Sequence, residues 1–144
     1  MSQVIIARTA ILALPVTPLN LDDTVNKFSW LLEGTSEENH TLSGGSGLSP
    51  SLLHYIKHAT YLAASLSRNR RSMVSRIAAD VLVEEVGNLK QRSELSEGPP
   101  SVEELLASYS KNKEFTETEC EMTELGGEAW KAAVQIYIQC RVFR

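Results

Sequence analysis

Glu128-Ala-Trp-Lys-Ala-Ala-Val-Gln-Ile-Tyr-Ile-Gln-Cys-Arg-Val-Phe-Arg144 closes the chain and decides how the rest is read. No proline or glycine interrupts it. Lys131, Gln135 and Gln139 recur every four residues and form one narrow polar stripe. Nearly everything else is apolar: Ala129, Trp130, Ala132, Ala133, Val134, Ile136, Tyr137, Ile138, Cys140, Val142 and Phe143. A helix that is apolar around most of its circumference must be buried among several neighbours. It is too short to span a bilayer, which takes about 20 apolar residues. The stretch therefore predicts the central helix of a bundle. Because the sequence ends where this helix ends, part of its packing surface is expected from missing sequence or from a partner.

Gly126-Gly127 stands just before this helix and is read as the break that precedes it. Upstream, Glu114, Glu117, Glu119, Glu121, Glu124 and Glu128 make an acidic run, expected as loop or helix start. Ser101-Val-Glu-Glu104 has the form of a capping box, which places Leu105, Leu106 and Tyr109 on a short helix. Residues 92–100 are a polar linker closed by Gly98-Pro99-Pro100. Before it, Val74, Ile77, Ala78, Val81, Leu82, Val86 and Leu89 give a helix over about Ser72–Gln91 a wide apolar face.

Ser49-Pro50 reads as an N-cap followed by proline at the first helical position. The helix it opens carries Leu52, Leu53, Ile56, Ala59, Thr60, Ala63 and Leu66, and ends near Arg68, Arg70 and Arg71. Residues 34–47, rich in Gly and Ser, read as a loop. Two helices come first. One runs from about Gln3 to Leu14 and stops at Pro15 and Pro18. The other starts near Asp22 or Asp23, carries Val25, Phe28, Trp30, Leu31 and Leu32, and stops at Gly34. No run alternates as a strand should. The expected fold class is all-α, a bundle of about five to six helices, and an incomplete slice of a larger helical domain.

The 144 residues are enough for one domain with a true core. A net charge of −4 argues against independent binding to DNA or an anionic membrane, which needs clustered cations. The two cysteines, Cys120 and Cys140, cannot complete a structural zinc site, and Cys140 is expected inside as a small hydrophobe. No signal peptide or transmembrane span is legible, so an intracellular protein is expected. Asn39-His40-Thr41 matches a glycosylation acceptor, read as chance without secretion.

His54 and His58 share a helical face at metal-binding spacing. However, Tyr55 stands where a metalloprotease has its glutamate, and no third ligand is evident, so two imidazoles packed in a bundle is the plainer reading. Arg68, Arg70, Arg71 and Arg76 form the one basic patch, for nuclear import or phosphate contact, or as cations at a solvated helix–helix turn. Glu84-Glu85 is no acid/base dyad, because adjacent helical residues point about 100° apart. Gly44-Gly45-Ser46-Gly47 lacks the lysine and strand of a phosphate loop. No nucleophile triad is nominated. The chain is read as having no catalytic, cofactor or metal residues of its own.

Four stretches occur in one order: Ile6-Ala-Arg-Thr-Ala-Ile-Leu-Ala-Leu-Pro15, Phe28-Ser-Trp-Leu-Leu-Glu-Gly34, Gly47-Leu-Ser-Pro-Ser-Leu-Leu-His54, and Glu128 to Phe143. Together they resemble the C-terminal regulatory region of fungal zinc binuclear-cluster transcription factors. The Gly-x-Ser-x-x-Leu-Leu helix start and the Glu-Ala-x-x-x-Ala-x-x-Ile-Tyr helix carry most of the likeness. The resemblance implies a partial regulatory domain over residues 1–144, nuclear localisation and transcription regulation through helical protein contacts. It implies DNA contact only indirectly, through a domain absent here, and zinc only in that absent cysteine-rich module. A protein partner or self-association is expected through Trp130, Ile136, Ile138 and Phe143. A small apolar effector, sensed by the same helical region, is the alternative, and a non-functional truncated fragment is another. An enzyme using the two histidines ranks last.

Overall fold

The computed structural model describes residues 2–16, 28–42, 48–93 and 113–143, with side chains at 6–15, 28–42, 48–93 and 122–143. Five α-helices stand among the described residues: α1 Ser2–Ala13, α2 Ser36–His40, α3 Pro50–Arg68, α4 Met73–Asn88 and α5 Lys113–Val142. Short 3-10 turns cover Leu14–Val16 and Ser29–Leu32. Two two-residue strands, β1 Thr41–Leu42 and β2 Arg92–Ser93, pair in parallel with Thr41 opposite Arg92 and Leu42 opposite Ser93. The chain is all-α apart from that pair.

The helix at the centre is α3. It touches α1, α2, α4, α5 and both 3-10 turns. Its start is local chemistry: the Ser49 hydroxyl accepts the Leu52 N–H at 3.2 Å, with Pro50 at the first position. Its buried residues include Leu52, Leu53, Ile56, Ala59, Leu62 and Leu66, which face more than one direction around the axis. Burying a leucine of this kind contributes about 1.5–3 kcal/mol. The core around it takes Ala7 and Ile11 from α1, Phe28 and Leu31, Leu48, then Ala79, Leu82 and Val86 from α4, and Val134 and Ile138 from α5.

The other helices are one-faced. In α4 the buried positions are Ser75, Ala79, Leu82 and Val86, at intervals of three and four, with Leu89 just beyond. Val74, Ile77 and Val81, expected on the same face, are instead exposed by 78%, 60% and 48%. Ser72 caps this helix by accepting the Ser75 N–H at 3.2 Å. In α2, Thr35 and Glu38 form a capping box: the Thr35 hydroxyl accepts the Glu38 N–H and the Glu38 carboxylate accepts the Thr35 N–H at 2.8 Å. Those bonds hold the Glu38 carboxyl below its ordinary range.

Several expectations are corrected. The last helix is not the central one: Ala129, Ala132, Ala133, Ile136 and Cys140 are exposed, and only Gly127, Val134 and Ile138 are buried among its described side chains. Cys140 is on the surface, not in the core. Gly126 and Gly127 lie inside α5, which begins about four turns earlier than the glycines suggested. Residues 34–47 are not all loop, since α2 and β1 occupy 36–42, and the linker over 92–100 opens with β2. The helix start at Asp22 or Asp23, the helix with Leu105, Leu106 and Tyr109, and Gly44 to Gly47 lie outside the described residues.

Candidate functional site

The 30-residue α5 presents opposite faces to the core and to solvent. Its inner face is built from Gly127, Val134 and Ile138, flanked by the half-buried Trp130, Lys131, Gln135 and Tyr137. Polar residues on this face are engaged. Lys131 donates to the carbonyl of Leu89 at 3.2 Å, answering an open acceptor at the end of α4, and pairs with Glu128 at 2.9 Å. The Gln135 amide passes over Gly87, where a side-chain carbon would meet it at 3.4 Å. Tyr137 and Thr60 join their hydroxyls at 2.9 Å, and Thr60 also donates to the Ile56 carbonyl. So two of the three residues of the expected polar stripe, Lys131 and Gln135, turn toward α4, while Tyr137 links α5 to α3.

The outer face is apolar and uncovered. Met122, Leu125, Ile136 and Phe143 are exposed by 67%, 69%, 64% and 44%. Ala129, Ala132 and Gln139 complete the row, also exposed. The positions 122, 125, 129, 132, 136, 139 and 143 alternate steps of three and four. That is the a/d spacing of a coiled-coil seam. Ala133 and Cys140 widen it. Of the residues expected at a partner surface, Ile136 and Phe143 belong to this seam. Trp130 is half-buried against the core, and Ile138 is fully buried, so it holds α5 to the bundle and cannot meet a partner. Leu125 and Met122 escaped the sequence reading because they precede Gly126-Gly127, taken there as a helix boundary. A second apolar strip on α4, Met73, Val74, Ile77 and Val81, is shorter and runs out into Glu84, Glu85 and Asn88.

The basic patch is divided. Arg68, Arg70 and Arg76 line a cavity of about 720 Å³ together with Arg141 from the end of α5, while Arg71, exposed as they are, lies outside that lining. His54 and His58 have ring centroids 6.1 Å apart. Burial pushes the His54 imidazole down to about 4, and the neighbouring Lys57 and His58 add to that. Burial also lowers His58, against the opposing pull of Glu85. No group of three His, Cys, Asp or Glu side chains is gathered for a metal among the described residues. A second cavity of about 730 Å³ brings Tyr55 beside Glu85 and Arg92 beside Glu37. Burial and then Glu85 raise the Tyr55 phenol above its ordinary value. Asn39 directs its side-chain nitrogen to the carbonyls of Leu32 and Gly34 at 3.3 and 3.1 Å. No helix is long and apolar enough to cross a membrane among the described residues.

No protein-family model, no curated protein and no solved structure matches the chain.

Proposed function

We propose that this chain is a non-enzymatic helical interaction module whose working surface is the outer face of α5. The observation that carries the reading is the row Met122, Leu125, Ala129, Ala132, Ile136 and Phe143, exposed along one side of a long helix whose other side is packed. A contiguous apolar stripe of this kind on a folded domain marks a contact site. The partner we assign is a second copy of the same helix, running antiparallel. The alanines at the middle of the seam let two helices approach closely. The N-terminal half of α5 is acidic in sequence, with Glu114, Glu117, Glu119, Glu121, Glu124 and Glu128. Parallel pairing stacks these like charges, whereas antiparallel pairing sets them at opposite ends. The ordered motifs that resemble the fungal regulatory region supply the setting: regulation of transcription in the nucleus, by helical contact, with DNA reached only through another domain.

The neighbouring isoleucines test this. Ile136→Glu places a charge on the exposed seam and is expected to abolish self-association while leaving the thermal melt within a few degrees. Ile138→Ala removes a fully buried side chain and is expected to cost about 2–5 kcal/mol of stability. Association unchanged in Ile136→Glu would remove α5 as the contact surface.

A further inference from the structure

The four-arginine cavity is not explained by the α5 surface, and the inference it carries does not rest on that reading. Arg68 ends α3, Arg70 lies in the turn after it, Arg76 lies early in α4 and Arg141 ends α5. Sequence proximity accounts for three of them. Arg141 arrives only because α5 packs along α3 and α4. The helix dipole favours cations at the C-terminal ends, which suits Arg68 and Arg141. It opposes Arg76 near the positive end of α4, whose first turn holds no acidic residue. Among the described residues none of the four is paired with a carboxylate, whereas Arg92 pairs with Glu37 and Lys131 with Glu128. Four exposed arginines line one space, and an anion entering it accepts charge-assisted hydrogen bonds from them.

The cavity wall also carries the linked hydroxyls of Thr60 and Tyr137 and an apolar side from Leu14 and Pro15 in the 3-10 turn after α1 and from Ala63, Ala64 and Leu66 of α3. At about 720 Å³ it is far larger than a bare phosphate and lies in the range of sites for small organic ligands. We propose that it binds a soluble organic phosphate of up to nucleotide size, the arginines holding the phosphate and the apolar side taking the organic part. A duplex is the wrong occupant, because its phosphates follow an extended surface and the chain as a whole carries a charge of −4.

Calorimetric titration of the full chain with magnesium-free ADP, inorganic phosphate and a short DNA duplex tests this. ADP is expected to saturate at one per chain and to bind at least roughly tenfold tighter than inorganic phosphate, which supplies the anion without the organic part. Arg70→Gln alone and with Arg141→Gln is expected to weaken ADP by roughly tenfold per arginine, with the ligand-free melt unchanged. Because Arg70 is an exposed turn residue, the single variant keeps the test readable if the double variant folds poorly. Absence of ADP heat, affinity unchanged in Arg70→Gln, phosphate binding as tightly as ADP, or duplex binding that ADP does not displace would each overturn the proposal.

Discussion

His54 is held neutral in the fold, with burial the main cause and Lys57 and His58 adding to it. Its folded value near 4 lies below the ordinary 6.5, so between those values the unfolded chain binds the extra proton. Stability conferred by the neutral ring is therefore complete above about pH 6.5 and is lost as pH falls toward 4. The ring is only half-buried, so solvent screening leaves a loss on the order of 1 kcal/mol. Denaturant melts at pH 7 and pH 4.5 check this, with His54→Gln expected to flatten the slope. The sequence showed the His54–His58 spacing but not this environment. Burial of a half-polar helix face depends on what packs over it. Gln91 makes the same point: its side chain donates to the Gly127 carbonyl at 2.9 Å and accepts from the Ser49 hydroxyl at 2.8 Å, joining α5 to the cap of α3 across distant parts of the chain.

At the scale of elements, what is local was legible and what is tertiary was not. The start of α3 at Ser49-Pro50, the extent of α1 and the start of α4 follow from caps, proline and apolar spacing, while α4 ends at Asn88, short of the expected Gln91. The inward side of α5 did not, because large apolar residues stand on both sides of it, Ile138 buried and Ile136 exposed. The narrow polar stripe that includes Lys131 and Gln135 was legible in the sequence, but not that each of the two turns inward onto α4. The paired glycines were misread for a related reason. Gly127 is needed not to end a helix but to let α5 pass close to β1: a side-chain carbon there would lie 3.0 Å from both methyls of the buried Leu42 and 3.2 Å from the Gln91 amide. At Gly126 it would meet nothing within 4 Å. Alanine gains about 1 kcal/mol over glycine inside a helix, whereas overpacking a tight contact costs about 1–3 kcal/mol. Gly126→Ala is therefore expected to raise the melting temperature and Gly127→Ala to lower it, as calorimetry of the two variants would show.

The whole molecule is a bundle wrapped on α3, with its longest helix laid across one side and that helix's outer seam uncovered. The all-α class was readable because no stretch alternates as a strand; the β1–β2 pair, two residues each, leaves no periodicity to see. The candidate surface was half-readable. Ile136 and Phe143 were in the expected contact set, while Ile138 belongs to the core and Met122 and Leu125 extend the seam beyond the glycines. The arginine cavity joins residues that only the fold brings together. The central claim is that the α5 seam pairs with a second copy of itself. Sedimentation equilibrium of the full chain, from micromolar to near-millimolar concentration, tests it most directly. The account predicts a mass rising to twice the chain's 15.9 kDa and no further. A mass that stays at 15.9 kDa across the range would contradict it.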